Sequence, residues 1–198
     1  MSLRDLLKKY VEYIRISEAN KIARRYFIMN SFDGSVTILG VLLGVIFGGI
    51  TEPTQIVGIG IATGVALMVS GFSGTIIAEE AERNKDIKEL EESMLMDLKD
   101  TVYTKAARFS IIYIGFINAI APFLSIMISL IPLILAIAGL VSVDLALPAT
   151  IVVAISYMGI LGILISKITG RNKIREALKL MAIGIATTII VSIVLKPL

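Results

Sequence analysis

The chain has no cysteine, no histidine and no tryptophan among its 198 residues. These absences exclude disulfide bonds, Cys/His zinc sites, haem or iron–sulfur ligation by those residues, and catalysis by histidine. A bound metal ion would need carboxylates, methionine thioethers, amides, hydroxyls or backbone carbonyls. No enzyme signature such as a P-loop or G-x-S-x-G is present, and no basic patch with interleaved aromatic residues. We therefore expect neither an enzyme nor a nucleic-acid partner.

Charge is nearly missing from several long apolar runs. Hydrophobic residues make up 56% of the chain, against about 45–50% in soluble domains, and a run of about 20 apolar residues can cross a bilayer. The charged N-terminus does not resemble a signal peptide. The sequence predicts an all-α integral membrane protein with five transmembrane helices. We place these spans at about 31–50, 56–78, 109 to just before 144, 146–166 and 178–195.

The basic residues predict the orientation of these spans. Of the 19 Lys and Arg residues, 18 lie before the first span or in the second and fourth loops. The positive-inside rule makes that side cytoplasmic, so the N-terminus lies inside and the C-terminus outside. We expect the protein to reside in the plasma membrane of a prokaryotic cell. Between Arg108 and Lys167 the only charged residue is Asp144, and we expect an extended, kinked or re-entrant piece near Pro122 and Pro132.

Four segments follow from this pattern. Residues 1–30 are predicted to form an amphipathic cytoplasmic or interfacial helix, with a basic helix at 3–25 that carries Leu7, Val11 and Ile14 on one side. Residues 31–78 hold the first two spans, residues 79–106 an acidic cytoplasmic helical segment, and residues 107–198 the last three spans.

The acidic segment carries nine of the sixteen carboxylates of the chain between positions 79 and 100. Carboxylates spaced three and four apart on a helix can meet one cation, and thioethers suit a softer transition metal. Ordinary ion pairs such as Lys85–Glu89 and Lys88–Glu92 on a solvated helix are the alternative. The candidate metal ligands here are Glu79, Glu82, Glu89, Glu92, Met94 and Met96.

Asp33 is a second candidate ligand, at the start of the first predicted span. An ionisable residue in a span is costly and is a functional hypothesis by default. Helical spacing places Thr37, Gly40, Gly44 and Gly48 near the same line as Asp33, and such small residues let helices approach closely. In a twofold dimer packed on this stripe, two Asp33 side chains could converge. The alternative is that Asp33 is the N-cap of the span.

Two further residues have open interpretations. Met68, in the second span, is a candidate metal ligand or a flexible space-filling side chain. Asn118 lies four residues before Pro122, whose ring frees the Asn118 carbonyl. Its side chain could form an interhelical hydrogen bond or line a transport path.

Taken together, three stretches resemble the vacuolar iron transporter family. The likeness covers most of residues 25–195. Asp33-Gly34 with Val36-Thr37 is similar to the first-helix motif of that family, and Gly64 to Gly71, running on to Glu79, is similar to its second helix. The link into the fifth helix is similar at Thr169-Gly170-Arg171-Asn172 and at Leu180-Met181-Ala182-Ile183-Gly184.

The resemblance implies a homodimer with five spans per subunit that moves Fe²⁺ or Mn²⁺ out of the cytosol in exchange for protons. It implies no permanently bound cofactor. Asp33 and Met68 would line the ion path between subunits, and the acidic extension would collect metal. This chain departs from the family pattern at Tyr26 and Gly60, where carboxylates are common, and in its shorter extension.

Two other functions remain open at the level of sequence. One is a membrane scaffold that transports nothing and docks a soluble partner through the charged helix at 79–105. The other is transport of a different substrate on the same scaffold.

Overall fold

The computed structural model describes residues 3–99 and 101–196, without the side chains of residues 3–7 and 9, so the predicted side of Leu7 lies outside the described part. The described residues form seven α-helices and no β-strand. Five of them, α2, α3, α4, α6 and α7, are long and apolar enough to cross a membrane. The all-α class is thereby confirmed for the described residues, and the five helices are compatible with the five predicted spans. The helices are α1 (Leu3–Ile16), α2 (Ala19–Phe47), α3 (Pro53–Met94), α4 (Val102–Ser129), α5 (Ile131–Ile137), α6 (Val143–Thr169) and α7 (Lys173–Leu195).

The chain divides into two compact units. The first unit comprises Met1–Phe27 and Val69–Ile120, and the second comprises Ile28–Met68 and Ala121–Leu198. The helices α2, α3 and α4 each contribute residues to both units.

The N-terminal region differs from the single helix predicted for residues 3–25. Helix α1 ends at Ile16 and α2 begins at Ala19. The hydroxyl of Ser17 donates to the Tyr13 carbonyl at 2.7 Å, and Glu18 has a φ of 51°. This left-handed backbone interrupts the helix. Residues 19–25 therefore belong to the first spanning helix.

The second predicted span and the first part of the acidic segment, up to Met94, form one unbroken helix, α3, of 42 residues. At a rise of 1.5 Å per residue this helix is about 63 Å long, and only about 30 Å of it is needed to cross the hydrocarbon core. The helix thus continues beyond the end of the second predicted span, but the segment predicted as helical over 79–106 is interrupted between Met94 and Val102. The helix ends at Met94, and Leu95 follows with a φ of 50°.

The stretch around the third span resolves into a long helix and a short one. Helix α4 passes through Pro122 and ends at Ser129, and α5 has Pro132 in its first turn. A proline fits there because the first N–H groups of a helix have no partner within it. The irregularity that we expected near Pro132 is thus a helix break, and α4 runs on through Pro122.

The second unit has a continuous apolar core, in which α6 and α7 approach closely. A Cβ on Gly162 of α6 would lie 2.6 Å from the Ala177 Cα on α7, a separation that backbone atoms cannot accommodate. The core residues that are fully buried include Ile38, Leu39, Leu42, Ile126, Leu130, Leu133, Met158 and Leu161.

Candidate functional site

Asp33 lies in the interior of α2 and not at its start. The helix begins at Ala19, fourteen residues earlier, so the N-cap interpretation of Asp33 is wrong. Arg25 lies eight residues before Asp33, or about 12 Å along the helix axis. The side chain is exposed, and it forms no ion pair with the residues that the structure describes. Among the described residues, Asp33 is therefore an ionisable group without a counter-charge, on a helix that is long and apolar enough to span a membrane.

The residues next to Asp33 determine which way it points. Ser31 and Ser35 are fully buried, and the Ser31 hydroxyl donates to the Ala121 carbonyl at 3.3 Å. A Cβ on Gly34 would lie 2.6 Å from the Pro122 carbonyl oxygen. Helix α2 therefore packs through this side against α4, and Asp33 is left on another side of α2.

The small-residue stripe that starts at Asp33 is open. A Cβ at Gly40 or Gly44 would meet no atom within 4 Å. The Thr37 hydroxyl donates its hydrogen bond to the backbone carbonyl of Asp33 at 2.7 Å, and not to the Asp33 carboxylate. The structure therefore brings Asp33, Thr37, Gly40 and Gly44 onto one accessible face of α2, as the spacing predicts.

Met68 belongs to the same unit as Asp33 and is half-buried on α3. Two glycines on this helix face the core, because a Cβ on Gly64 would lie 3.1 Å from Phe123 Cδ2 and one on Gly60 would lie 2.7 Å from Leu130 Cδ1. A carboxylate at position 60 would thus meet an apolar side chain.

Asn118 forms the interhelical hydrogen bonds predicted as one of its two roles. Its side-chain amide donates to the Gly71 carbonyl at 3.0 Å and to the Thr75 hydroxyl. The amide oxygen of Asn118 is buried and has no partner among the described residues. The interhelical bond is confirmed, and a role in a transport path stays a prediction.

Glu79 is the most buried of the candidate metal ligands in the acidic segment. Its carboxylate lies 3.9 Å from Arg83 Nε and hydrogen-bonds Tyr26. The Arg83 guanidinium also donates to the Ser17 carbonyl at 3.2 Å, at the end of α1. Glu79 therefore takes part in fastening α1 and α2 to α3. Sequence reasoning missed the partner Arg83, although the spacing of four residues from Glu79 is the signal for an ion pair.

The other candidate metal ligands follow Glu79 in the chain, within residues 80–96, which we call the α3 extension. All of these candidates are exposed. Glu89 lies 3.7 Å from Lys85 and Glu92 lies 3.9 Å from Lys88, so both ion pairs that we considered as an alternative are present. In the part of the chain that the structure describes, no three His, Cys, Asp or Glu residues are grouped so that they could hold a metal ion. Glu82, Met94 and Met96 are likewise exposed.

A compact link joins α3 to α4. The buried Leu98 anchors it, because its N–H donates to Glu91 Oε1 at 2.8 Å and its carbonyl accepts from the Thr104 hydroxyl at 2.6 Å. The Lys99 N–H donates to the Asp97 carboxylate at 2.9 Å, and this bond lowers the pKa of Asp97. Asp100, counted among the acidic residues above, lies outside the described residues.

The described residues form an all-helical fold, and five of its helices are long and apolar enough to cross a membrane. It is 29% identical over 170 residues to an uncharacterized protein of Methanocaldococcus jannaschii, and the alignment covers 84% of this chain and 85% of that protein. No protein-family model matches the chain. No solved structure matches it.

Proposed function

We propose that the chain transports a divalent metal cation, Fe²⁺ or Mn²⁺, out of the cytosol by proton exchange, along a path at a homodimer interface. The observation that carries this proposal is Asp33, an exposed carboxylate on a spanning helix without a counter-charge in the described residues. Intramembrane carboxylates are costly and mark ion pathways or proton relays. The direct test is metal flux into proteoliposomes with an Asp33 variant.

The chemistry of this face suits a divalent ion. Two copies of α2 packed on Thr37, Gly40 and Gly44 would bring two Asp33 carboxylates together. Carboxylate oxygens bind both Fe²⁺ and Mn²⁺, and a thioether from Met68 would favour the softer iron. Protons compete with the metal for the same oxygens, which gives a route to coupling.

In this proposal the N-terminus and the α3 extension lie in the cytosol of a prokaryotic cell. The exposed carboxylates of Glu82, Glu89 and Glu92 raise the local concentration of cations near the membrane. The thioethers of Met94 and Met96 lie close by in sequence. Glu79 marks the point where the extension meets the span, and its contact with Arg83 gives it a structural role as well.

The dimer is tested by filling the stripe. The double variant Gly40→Leu with Gly44→Leu adds side chains to open space in one chain, so it should leave the subunit folded and prevent close packing of two copies. Light scattering of the purified protein in detergent should show a dimer for the wild type and a monomer for the variant. The matched control is Gly58→Leu with Gly74→Leu, which also fills open positions and should stay dimeric. A variant that dimerises like the wild type would overturn the interface.

A second function, docking of a soluble partner on the extension, is favoured by one observation. The α3 extension carries lysine–glutamate pairs and ends in an apolar tip, where Met94, Leu95 and Met96 are 55%, 94% and 54% exposed. Exposed apolar side chains of this kind can form a surface for a protein partner. The collection of metal ions would not require the apolar side chain of Leu95. Transport of another substrate by the same face is the remaining alternative.

Mn²⁺ titration separates collection of metal from docking. If the extension gathers metal, Glu89→Ala with Glu92→Ala should weaken Mn²⁺ binding in calorimetry several-fold. The control Glu12→Ala with Glu18→Ala removes the same charge from exposed positions near the N-terminus and should not change binding. If the wild type binds no Mn²⁺, or if the Glu89→Ala and Glu92→Ala substitutions leave its Mn²⁺ binding unchanged, the docking function is favoured.

A further inference from the structure

A basic cleft lies at the turn that joins α6 to α7, in the second unit. Helix α6 ends at Thr169 and α7 begins at Lys173, with Gly170 in the left-handed region at a φ of 68°. The volume of the cleft is about 420 Å³. Because both helices are long and apolar enough to span a membrane, this turn lies at one surface of the bilayer. The cleft is lined by three cationic side chains, one amide and one carboxylate: Arg171, Arg175, Lys179, Asn172 and Glu176.

The carboxylate in the cleft positions one of the cations. The Glu176 side chain is only 8% exposed and lies 3.5 Å from Arg171 Nη1, whose side chain is 67% exposed. Glu176 is held in place because α7 approaches α6 closely at Gly162. One carboxylate thus faces three cations. Arg175 and Lys179 are exposed and form no ion pair in the described part of the chain.

Apolar side chains continue from the cleft along α7. Ile174 and Leu178 are one turn apart and are 71% and 59% exposed. Only 6% of the most apolar part of α7 is buried within the chain. Positive charge at the membrane surface therefore adjoins an open apolar strip, and this pairing matches a molecule with an anionic head and apolar chains.

We infer that the basic cleft binds the phosphate of an anionic phospholipid, whose acyl chains lie along Ile174 and Leu178. The planar guanidinium groups of Arg171 and Arg175 suit bidentate contact with phosphate oxygens. The side chains carry the site and not the helix end, because Asn172 Oδ1 already accepts from the N–H groups of Ile174 and Arg175. Basic pockets between spanning helices bind lipid headgroups in this way. The inference does not depend on metal transport.

Native mass spectrometry of the purified protein, titrated with phosphatidylglycerol or phosphatidylcholine, tests the inference. We expect a phosphatidylglycerol complex that the neutral lipid does not form. Each basic side chain at an anionic surface strengthens binding by about fivefold, so Arg171→Gln, Arg175→Gln and Lys179→Gln together should weaken it on the order of 100-fold. Circular dichroism checks that the triple variant is folded. Should it be unfolded, the single variant Lys179→Gln, at an exposed position, should still weaken binding about fivefold.

The control variant Lys85→Gln, Lys88→Gln and Lys99→Gln removes three positive charges from exposed ion pairs elsewhere. It should bind phosphatidylglycerol like the wild type, and an equal loss in the control would mean nonspecific attraction and overturn the site. Equal binding of both lipids would also overturn it. Inorganic phosphate at millimolar concentration should not displace the lipid. Binding of free phosphate without phosphatidylglycerol would identify a phosphate site and contradict the lipid assignment.

Discussion

Substitution of Asp33 by asparagine is expected to reduce Fe²⁺ and Mn²⁺ flux into proteoliposomes to the level of protein-free vesicles. Asparagine keeps the size of the side chain and removes its charge. The subunit should stay folded, because Asp33 is exposed and the contacts that place α2 on α4 are made by Ser31 and Gly34. A neutral amide cannot balance the charge of a divalent cation in a low-dielectric path. It also cannot release a proton when the metal binds or take one up when the metal leaves.

The matched control for this variant is Asp144→Asn. Asp144 is also an exposed carboxylate in a spanning helix, but it lies in the first turn of α6, where a negative charge is stabilised by the helix dipole. Its neutralisation should leave flux close to that of the wild type. Normal transport by Asp33→Asn would remove Asp33 from the path. Equal losses in both variants would indicate a general effect of negative charge.

Substitution of Gly34 by alanine is expected to destabilise the protein strongly, although it adds one methyl group. The new Cβ would lie 2.6 Å and 2.7 Å from the carbonyl oxygen and the Cα of Pro122, and it would also meet the Ser125 hydroxyl. Backbone atoms of α4 cannot move aside as a flexible side chain could, so α2 and α4 must separate. Overpacking of this kind costs about 1–3 kcal/mol or more.

Thermal unfolding in detergent, followed by circular dichroism, measures this cost. The control is Gly58→Ala on α3, outside the proposed dimer stripe, where the added Cβ meets no atom within 4 Å. Gly58→Ala should unfold at or above the wild-type temperature, since alanine favours helix by about 1 kcal/mol over glycine. Equal midpoints for Gly34→Ala and Gly58→Ala would contradict the close crossing of α2 and α4.

The spanning helices could be predicted from sequence because an uncharged apolar run of this length has few alternatives. Their ends could not. We predicted a separate basic helix at 3–25 and a first span from about residue 31, but Ala19 and Ala23 are buried against Ile114, and α2 begins at Ala19. This packing joins residues that are far apart in sequence, so the charges near the start of α2 could not predict it.

The candidate site, like the helices, could be predicted from the sequence only in part. Helical spacing was sufficient to place Asp33 with Gly40 and Gly44, because these residues share one helix. It could not show that Glu79 is buried beside Arg83 and Tyr26, because that environment is created by the docking of α1 and α2. The resemblance to the vacuolar iron transporter family stays a prediction.

The measurement that tests the central proposal most directly is uptake of Mn²⁺ and Fe²⁺ by proteoliposomes of the wild-type protein, with and without a pH gradient. The proposal predicts uptake of at least one metal that increases with the gradient and collapses when a protonophore is added. No uptake of either metal by folded, dimeric protein would contradict transport and favour docking on the α3 extension.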